Sequence, residues 1–132
     1  MSYIKYRNNN LYVENIAVNK IASRFVTPFY LYSNNCIVEN YKKFYDKFKK
    51  VNPLICFSVK ANSNLQILKI LKKMGSGADV VSGGELLKAL KSGINPNKIV
   101  FSGVGKTEEE LRLAIKKRIL LINVESENEA AL

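Results

Sequence analysis

Leu54-Ile-Cys-Phe-Ser-Val59, with Lys60 directly after it, is the stretch on which the fold turns. The run is short and almost continuously apolar. That is the pattern of a strand covered on both faces in a parallel sheet, not of a half-exposed strand that alternates in polarity. Asn52-Pro53 bounds it on the N-terminal side, and Asn62-Ser63-Asn64 on the C-terminal side.

Downstream the unit repeats. Leu65, Leu68, Leu71 and Met74 mark a helix that stops at Gly75, and Ala78–Val81 is the next strand. Leu86, Leu87 and Leu90 mark a second helix closed by Gly93, and Ile99–Phe101 a third strand. Leu111, Ala114 and Ile115 lie on a third helix, and Ile119–Val124 is a fourth strand. Strands alternating with helices of this length imply parallel βαβ units, so the fold class is α/β. Ser82 with Glu85, Thr107 with Glu110, and Ser126 with Glu129 have the spacing of capping boxes, each opening a helix just past a strand.

Upstream, Leu11, Val13, Ile16 and Val18 suggest an irregular strand region. Thr27-Pro28 punctuates the chain, and Phe29–Tyr32 reads as a short aromatic strand. From Asn34 the apolar positions Ile37, Tyr41, Phe44, Tyr45 and Phe48 recur at helical spacing. A complete (β/α)₈ barrel needs eight strands and about 250 residues. The sequence has 132 residues and four barrel-type strands, and its last capping box opens only a few residues from the end. The expectation is the first half of a TIM-type barrel, stopping in mid-fold, with two sheet edges and an apolar inner face uncovered.

Composition narrows the chemistry. With 47% hydrophobic residues the chain can bury a core, and no apolar run of about 18 residues suggests a membrane span. Met1–Asn10 is polar and lacks the apolar stretch of a secretory signal, which points to the cytoplasm. There is no histidine, which excludes Ser-His and Cys-His nucleophile pairs and nearly all zinc sites; no metal ligand set is expected. Cys36 and Cys56 form no CxxC pair and read as buried free thiols. The net charge of +10 comes mostly from lysines placed on helices, many toward C-termini where cations complement the dipole. A solvated helical face explains them better than nucleic-acid binding does.

Lys60 ends its strand at the C-terminal rim of the sheet, where α/β active sites form. Partial desolvation there would favour the neutral amine that a Schiff base requires; the alternative is a strand-end lysine in water. Asp79, amid apolar residues, is either a carboxylate with a cationic partner, for which Lys60 is the candidate, or a turn aspartate. Glu85 is either the cap partner of Ser82 or a group facing a cofactor. Ser82-Gly83-Gly84 could offer free N–H groups to an anion or simply allow tight packing. Gly105-Lys106-Thr107 has the tail of a phosphate-binding P-loop, but Val100 stands where that motif needs its first glycine, and a nucleotide loop is rejected.

Five segments together resemble one family. They are Thr27-Pro-Phe-Tyr-Leu-Tyr-Ser33, Phe57-Ser-Val-Lys-Ala-Asn-Ser-Asn64, Gly77-Ala-Asp-Val-Val-Ser-Gly-Gly-Glu-Leu86, Phe101-Ser-Gly-Val-Gly-Lys-Thr107 and Asn123-Val-Glu-Ser126. The chain resembles the N-terminal part of the meso-diaminopimelate decarboxylases, in the alanine-racemase-like barrel class. The resemblance implies pyridoxal 5'-phosphate as cofactor and Lys60 as the catalytic Schiff-base lysine. It implies Asp79 close to that lysine, and Glu85 near the cofactor. It also implies an amino-acid substrate, decarboxylated to L-lysine in the last step of lysine biosynthesis, and a homodimer with neither nucleic-acid nor membrane partners. Residues 1–27 would then be a strand region that packs on a C-terminal β domain, and 28–132 an incomplete cofactor-binding barrel. The family's phosphate-binding groups, ring-stacking histidine and substrate groups lie outside this stretch. The runner-up readings are a barrel decarboxylase for ornithine, arginine or carboxynorspermidine, and a basic binding module without catalysis.

Overall fold

A computed structural model describes residues 3–132, and the chain divides into two compact units, residues 1–43 and 44–132. In the first, β1 (Ile4–Arg7), β2 (Asn10–Val13) and β3 (Ile16–Ala17) form an antiparallel meander in that order. Asn8 and Asn9 both take positive φ, the backbone twist that a two-residue hairpin demands and asparagine tolerates. Val18, expected in the strand region, instead begins α1 (Val18–Ala22). The ladder ends with Ala17 opposite Tyr12, and a β-branched residue does not hold a strand once the chain leaves its pairing.

Phe29–Tyr32 is not a strand. Its aromatic composition suits one, but a strand is made by cross-strand N–H and C=O pairing, and this segment joins no ladder among the described residues. Tyr30 is 90% exposed. The helix α2 (Asn34–Phe48) follows as expected and runs across the boundary between the units. Its start is fixed by Ser33, whose hydroxyl accepts from the Cys36 N–H and donates to the Glu14 carboxylate at 2.6 Å. Glu14 also accepts from the Asn35 N–H, so a carboxylate meets the positive end of the helix. These bonds, the Ser33 hydroxyl first, hold the Glu14 carboxyl below its ordinary value.

The second unit contains the parallel sheet. β4 (Cys56–Ser58), β5 (Gly77–Val80), β6 (Ile99–Phe101) and β7 (Leu121–Ile122) lie side by side in chain order, all parallel. The helices α3 (Leu65–Lys73), α4 (Gly83–Lys91), α5 (Glu108–Lys116) and α6 (Glu127–Ala130) each follow one strand. This is the architecture of half a (β/α)₈ barrel, as the alternation of periods predicts. The strands are shorter than the apolar runs that announce them. Val59 turns into a 3₁₀ turn (Val59–Ala61), and β7 is two residues long and pairs, among the described residues, with β6 alone.

The faces separate by the two-residue period of a strand. Phe57, Ala78, Val80, Ile99, Phe101 and Ile122 point toward the helices, into a core with Leu68, Leu86, Ala89 and Ala114. Fully burying a side chain such as Phe101 or Leu86 contributes about 1.5–3 kcal/mol. The opposite face carries Cys56, Ser58, Asp79 and Val100, all half-buried, so the strands are not covered on both sides as their continuous run suggested. Cys36 and Cys56 are free thiols, half-buried rather than buried.

Gly77 is where the sheet closes most tightly. A Cβ there would lie 2.2 Å from the Lys98 carbonyl oxygen and 2.8 Å from the Cys56 Sγ. The oxygen is backbone and cannot swing away. Gly77→Ala is therefore expected to destabilise the chain by about 2–3 kcal/mol, read as a lower urea midpoint with an unchanged m-value. A midpoint equal to that of the unaltered chain would show that β5 and the Lys98 loop have room to part.

Candidate functional site

The C-terminal ends of β4 to β7 carry a polar row. Ser58 pairs in register with Asp79, and Asp79 with Val100. Asp79 Oδ2 accepts from the Ser58 hydroxyl at 3.3 Å, and Oδ1 from the Ser102 hydroxyl at 2.6 Å. The Asn123 side-chain amide in turn donates to the Ser102 Oγ at 3.0 Å. A hydroxyl has one proton. Because Ser102 gives its proton to Asp79 and accepts from Asn123, the row has a direction, and every donor in it converges on the carboxylate.

This corrects the expectation for Asp79. It is neither a turn residue nor ion-paired: it lies within β5, and hydroxyls replace the cation that its apolar neighbours suggested. Among the described residues no ammonium or guanidinium forms an ion pair with it. Its charge also reaches Cys56 one turn of the pleat below. Burial first, and then the Asp79 charge, push the Cys56 thiol up, against a smaller opposing effect of Lys98.

Lys60 stands in the 3₁₀ turn immediately after β4, at the rim where the sequence places it. It is exposed. Of its two readings, the strand-end lysine in water is the one that the described residues show, and they do not supply the partial desolvation.

Glu85 does serve α4, but not as a standard capping box. Its N–H donates to the Ser82 Oγ, while its Oε2 accepts from Val81, one residue earlier than a box requires. Ser82-Gly83-Gly84 is not an open anion site either. The Gly83 N–H is taken by Glu110 Oε1 at 2.7 Å, and a Cβ on Gly83 would lie 3.1 Å from the Glu110 Cγ. Glu110 also closes the complete capping box of α5 through Thr107. One carboxylate thus serves the N-termini of two helices, and the Gly83 N–H, followed by the Thr107 N–H, lowers its pKa below the ordinary 4.5.

In the Gly-Lys-Thr tripeptide the lysine is engaged within the chain and the threonine caps α5. Lys106 Nζ is buried, 1% exposed, and bonds the carbonyls of Gly103 and Asn123 and the carboxylate of Glu129, all at 2.6–2.7 Å. The third capping box is therefore half a box. Ser126 receives the Glu129 N–H, but the Glu129 side chain goes to Lys106. Sequence reasoning missed Ser58, Ser102 and Asn123 as site residues. The available signal was spacing: Ser58 and Asp79, and again Ser102 and Asn123, are separated by the 21 residues that offset each strand from the next.

A family model described as the pyridoxal binding domain of pyridoxal-dependent decarboxylases matches residues 34–132. The chain is 46% identical over 127 residues to the diaminopimelate decarboxylase of Aquifex aeolicus, covering 96% of this chain and 30% of that one. It is 53% identical over 102 residues to the diaminopimelate decarboxylase of Helicobacter pylori, covering 77% and 25%. The solved structure of diaminopimelate decarboxylase from M. jannaschii, in complex with L-lysine, superposes with a TM-score of 0.93 at 35% identity, over 97% of this chain and 31% of that one. The chain spans about 30% of the length of the relatives it matches.

The lowered Glu110 pKa fixes a pH dependence. Its stabilising contribution is fully present above the ordinary carboxylate value of 4.5 and is lost as pH falls through the lower folded-state value. Glu110→Gln should flatten the acid limb of urea midpoint against pH. An acid limb as steep as that of the unaltered chain would place the titrating group elsewhere.

Proposed function

Because the chain belongs to the pyridoxal-dependent decarboxylases, in their pyridoxal-binding domain, we propose that it is the N-terminal part of a diaminopimelate decarboxylase. The whole protein, a carboxy-lyase, would convert meso-2,6-diaminopimelate to L-lysine and CO₂ in the cytoplasm, as a homodimer. Residues 1–27 would pack on a C-terminal β domain, and 28–132 would form the first part of the barrel. The observation that carries the reading is the single rim on which Lys60 and the Ser58–Asp79–Ser102–Asn123 row stand, within a segment 46% identical to a diaminopimelate decarboxylase.

The residues present fit pyridoxal 5'-phosphate in part. Lys60 offers an exposed primary amine at the end of β4 for covalent attachment. Asp79 offers a fixed anion on the inner face of the sheet, and Glu85 lies at the start of α4 with one carboxylate oxygen committed to Val81. The Gly83 N–H is already engaged by Glu110, so that donor at the start of α4 is not free for the cofactor's phosphate.

Bound there, the cofactor supplies an electron sink for the pair left behind when CO₂ departs. Two of this chain's own residues would contribute directly. Lys60 would hold the cofactor covalently through Nζ, and the same nitrogen, once released, could take up or deliver a proton. The Asp79 carboxylate is held in one orientation, because both its oxygens are met by the Ser58 and Ser102 hydroxyls.

Incubation of the chain with pyridoxal phosphate, borohydride reduction and peptide mapping should place the label on Lys60, and Lys60→Ala should abolish it. A label spread over the exposed helical lysines, unchanged in Lys60→Ala, would sink the proposal.

A further inference from the structure

Lys106 is the most deeply buried charge among the described residues, and the decarboxylase chemistry does not use it. Its ammonium has three protons, and three oxygens meet them: Gly103 O at 2.7 Å, Asn123 O at 2.6 Å and Glu129 Oε1 at 2.6 Å. The Phe101 ring lies 5.9 Å away, within cation–π reach. A desolvated ion pair is weak evidence for a role in stability alone, since an apolar pair of similar volume often serves as well. What this pair does that an apolar one cannot is grip two backbone carbonyls.

Those carbonyls are not arbitrary. Gly103 directly follows Ser102, and Asn123 carries the amide that donates to Ser102. Ser102 in turn gives the shorter of the two bonds to Asp79. The ends of β6 and β7 therefore hang on one ammonium, and the two residues they present are the ones that orient the Asp79 carboxylate. Glu129 completes the coordination from α6, whose own start is fixed by Ser126.

We infer that Lys106, paired with Glu129, is a positioning residue: it holds the ends of β6 and β7 so that Asn123 and Ser102 aim the carboxylate of Asp79 at the candidate site. The assignment to a site rests on the decarboxylase reading; the relay from Lys106 to Asp79 does not.

The relay is tested in the 132-residue chain without cofactor, by the carboxylate ¹³C resonance of Asp79. Ser102→Ala removes a direct bond and marks the direction of the change. Lys106→Met and Asn123→Ala touch no atom of Asp79, yet each should move the resonance the same way by a smaller amount. Asn123 is exposed, so its loss leaves the fold intact if Lys106→Met does not. Glu129→Gln keeps the side-chain oxygen and should give an intermediate change. An Asp79 resonance that moves in Ser102→Ala but stays put in both Asn123→Ala and Lys106→Met overturns the inference, as does a resonance already that of a freely solvated carboxylate in the unaltered chain. With pyridoxal phosphate added, Asn123→Ala and Lys106→Met should weaken capture at Lys60 by about tenfold, the worth of one hydrogen bond. If the ¹³C changes match the prediction while Asn123→Ala and Lys106→Met leave capture at Lys60 unchanged, the relay stands and its tie to the candidate site fails.

Discussion

A carboxylate set among the strands of a parallel sheet is costly unless its oxygens are met by donors, and here Ser58 and Ser102 meet Asp79 from the two neighbouring strands. The arrangement depends on register. Each strand is offset from the next by the same 21 residues, so that Ser58 falls beside Asp79 and Asn123 beside Ser102. A shift of one residue in any strand would turn its polar side chain into the helix-facing core and bring an apolar one to the rim. The apolar layer behind the sheet enforces that register. Ala78, Val80, Ile99 and Phe101 are fully buried against Leu68, Leu86, Ala89 and Ala114, and cannot trade faces with Asp79 or Val100.

Helix starts complete the rim. Each of α3, α4, α5 and α6 is opened by a side-chain cap within six residues of the end of its strand, from Asn64, Ser82, Thr107 and Ser126. This keeps the strand-to-helix loops short and puts the strand ends under control of the caps. The acidic partners are shared out. Glu110 binds both its own helix and the Gly83 N–H of the preceding one, and Glu129 leaves its cap to bind Lys106. Neighbouring βα units are thereby tied to one another at the end of the sheet where the candidate site lies, not only through the core.

The alternation of strand and helix was legible because two local periods, near two and near four residues, are written directly in the order of apolar residues. The helix caps were legible for the same reason: cap and acceptor are three residues apart. What the local pattern does not carry is the identity of partners more than twenty residues away. Asp79 read either as half of an ion pair or as a turn aspartate, since nothing near it in sequence announces that Ser58 and Ser102 reach its oxygens. The phosphate loop could be rejected at Lys106 because Val100 is local, but its true partner could not be named because Glu129 is not. Phe29–Tyr32 has the residues of a strand but no ladder among the described residues, and strand formation is a property of the pair. For Lys60 the position was legible, and its exposure matches the reading of a strand-end lysine in water; its role rests on the family segment in which it stands.

If this segment does in a decarboxylase what the matching segment of its relatives does there, it should work in their place. The decisive measurement is made in the Aquifex aeolicus diaminopimelate decarboxylase, 46% identical over 127 residues, with its matching segment replaced by this one. The expected result is CO₂ release from meso-2,6-diaminopimelate within about tenfold of the parent kcat/KM, which is about 1.4 kcal/mol of transition-state stabilisation, and its loss in Lys60→Ala. A hybrid that folds and captures pyridoxal phosphate but releases no CO₂, or one whose activity survives Lys60→Ala, would refute that equivalence.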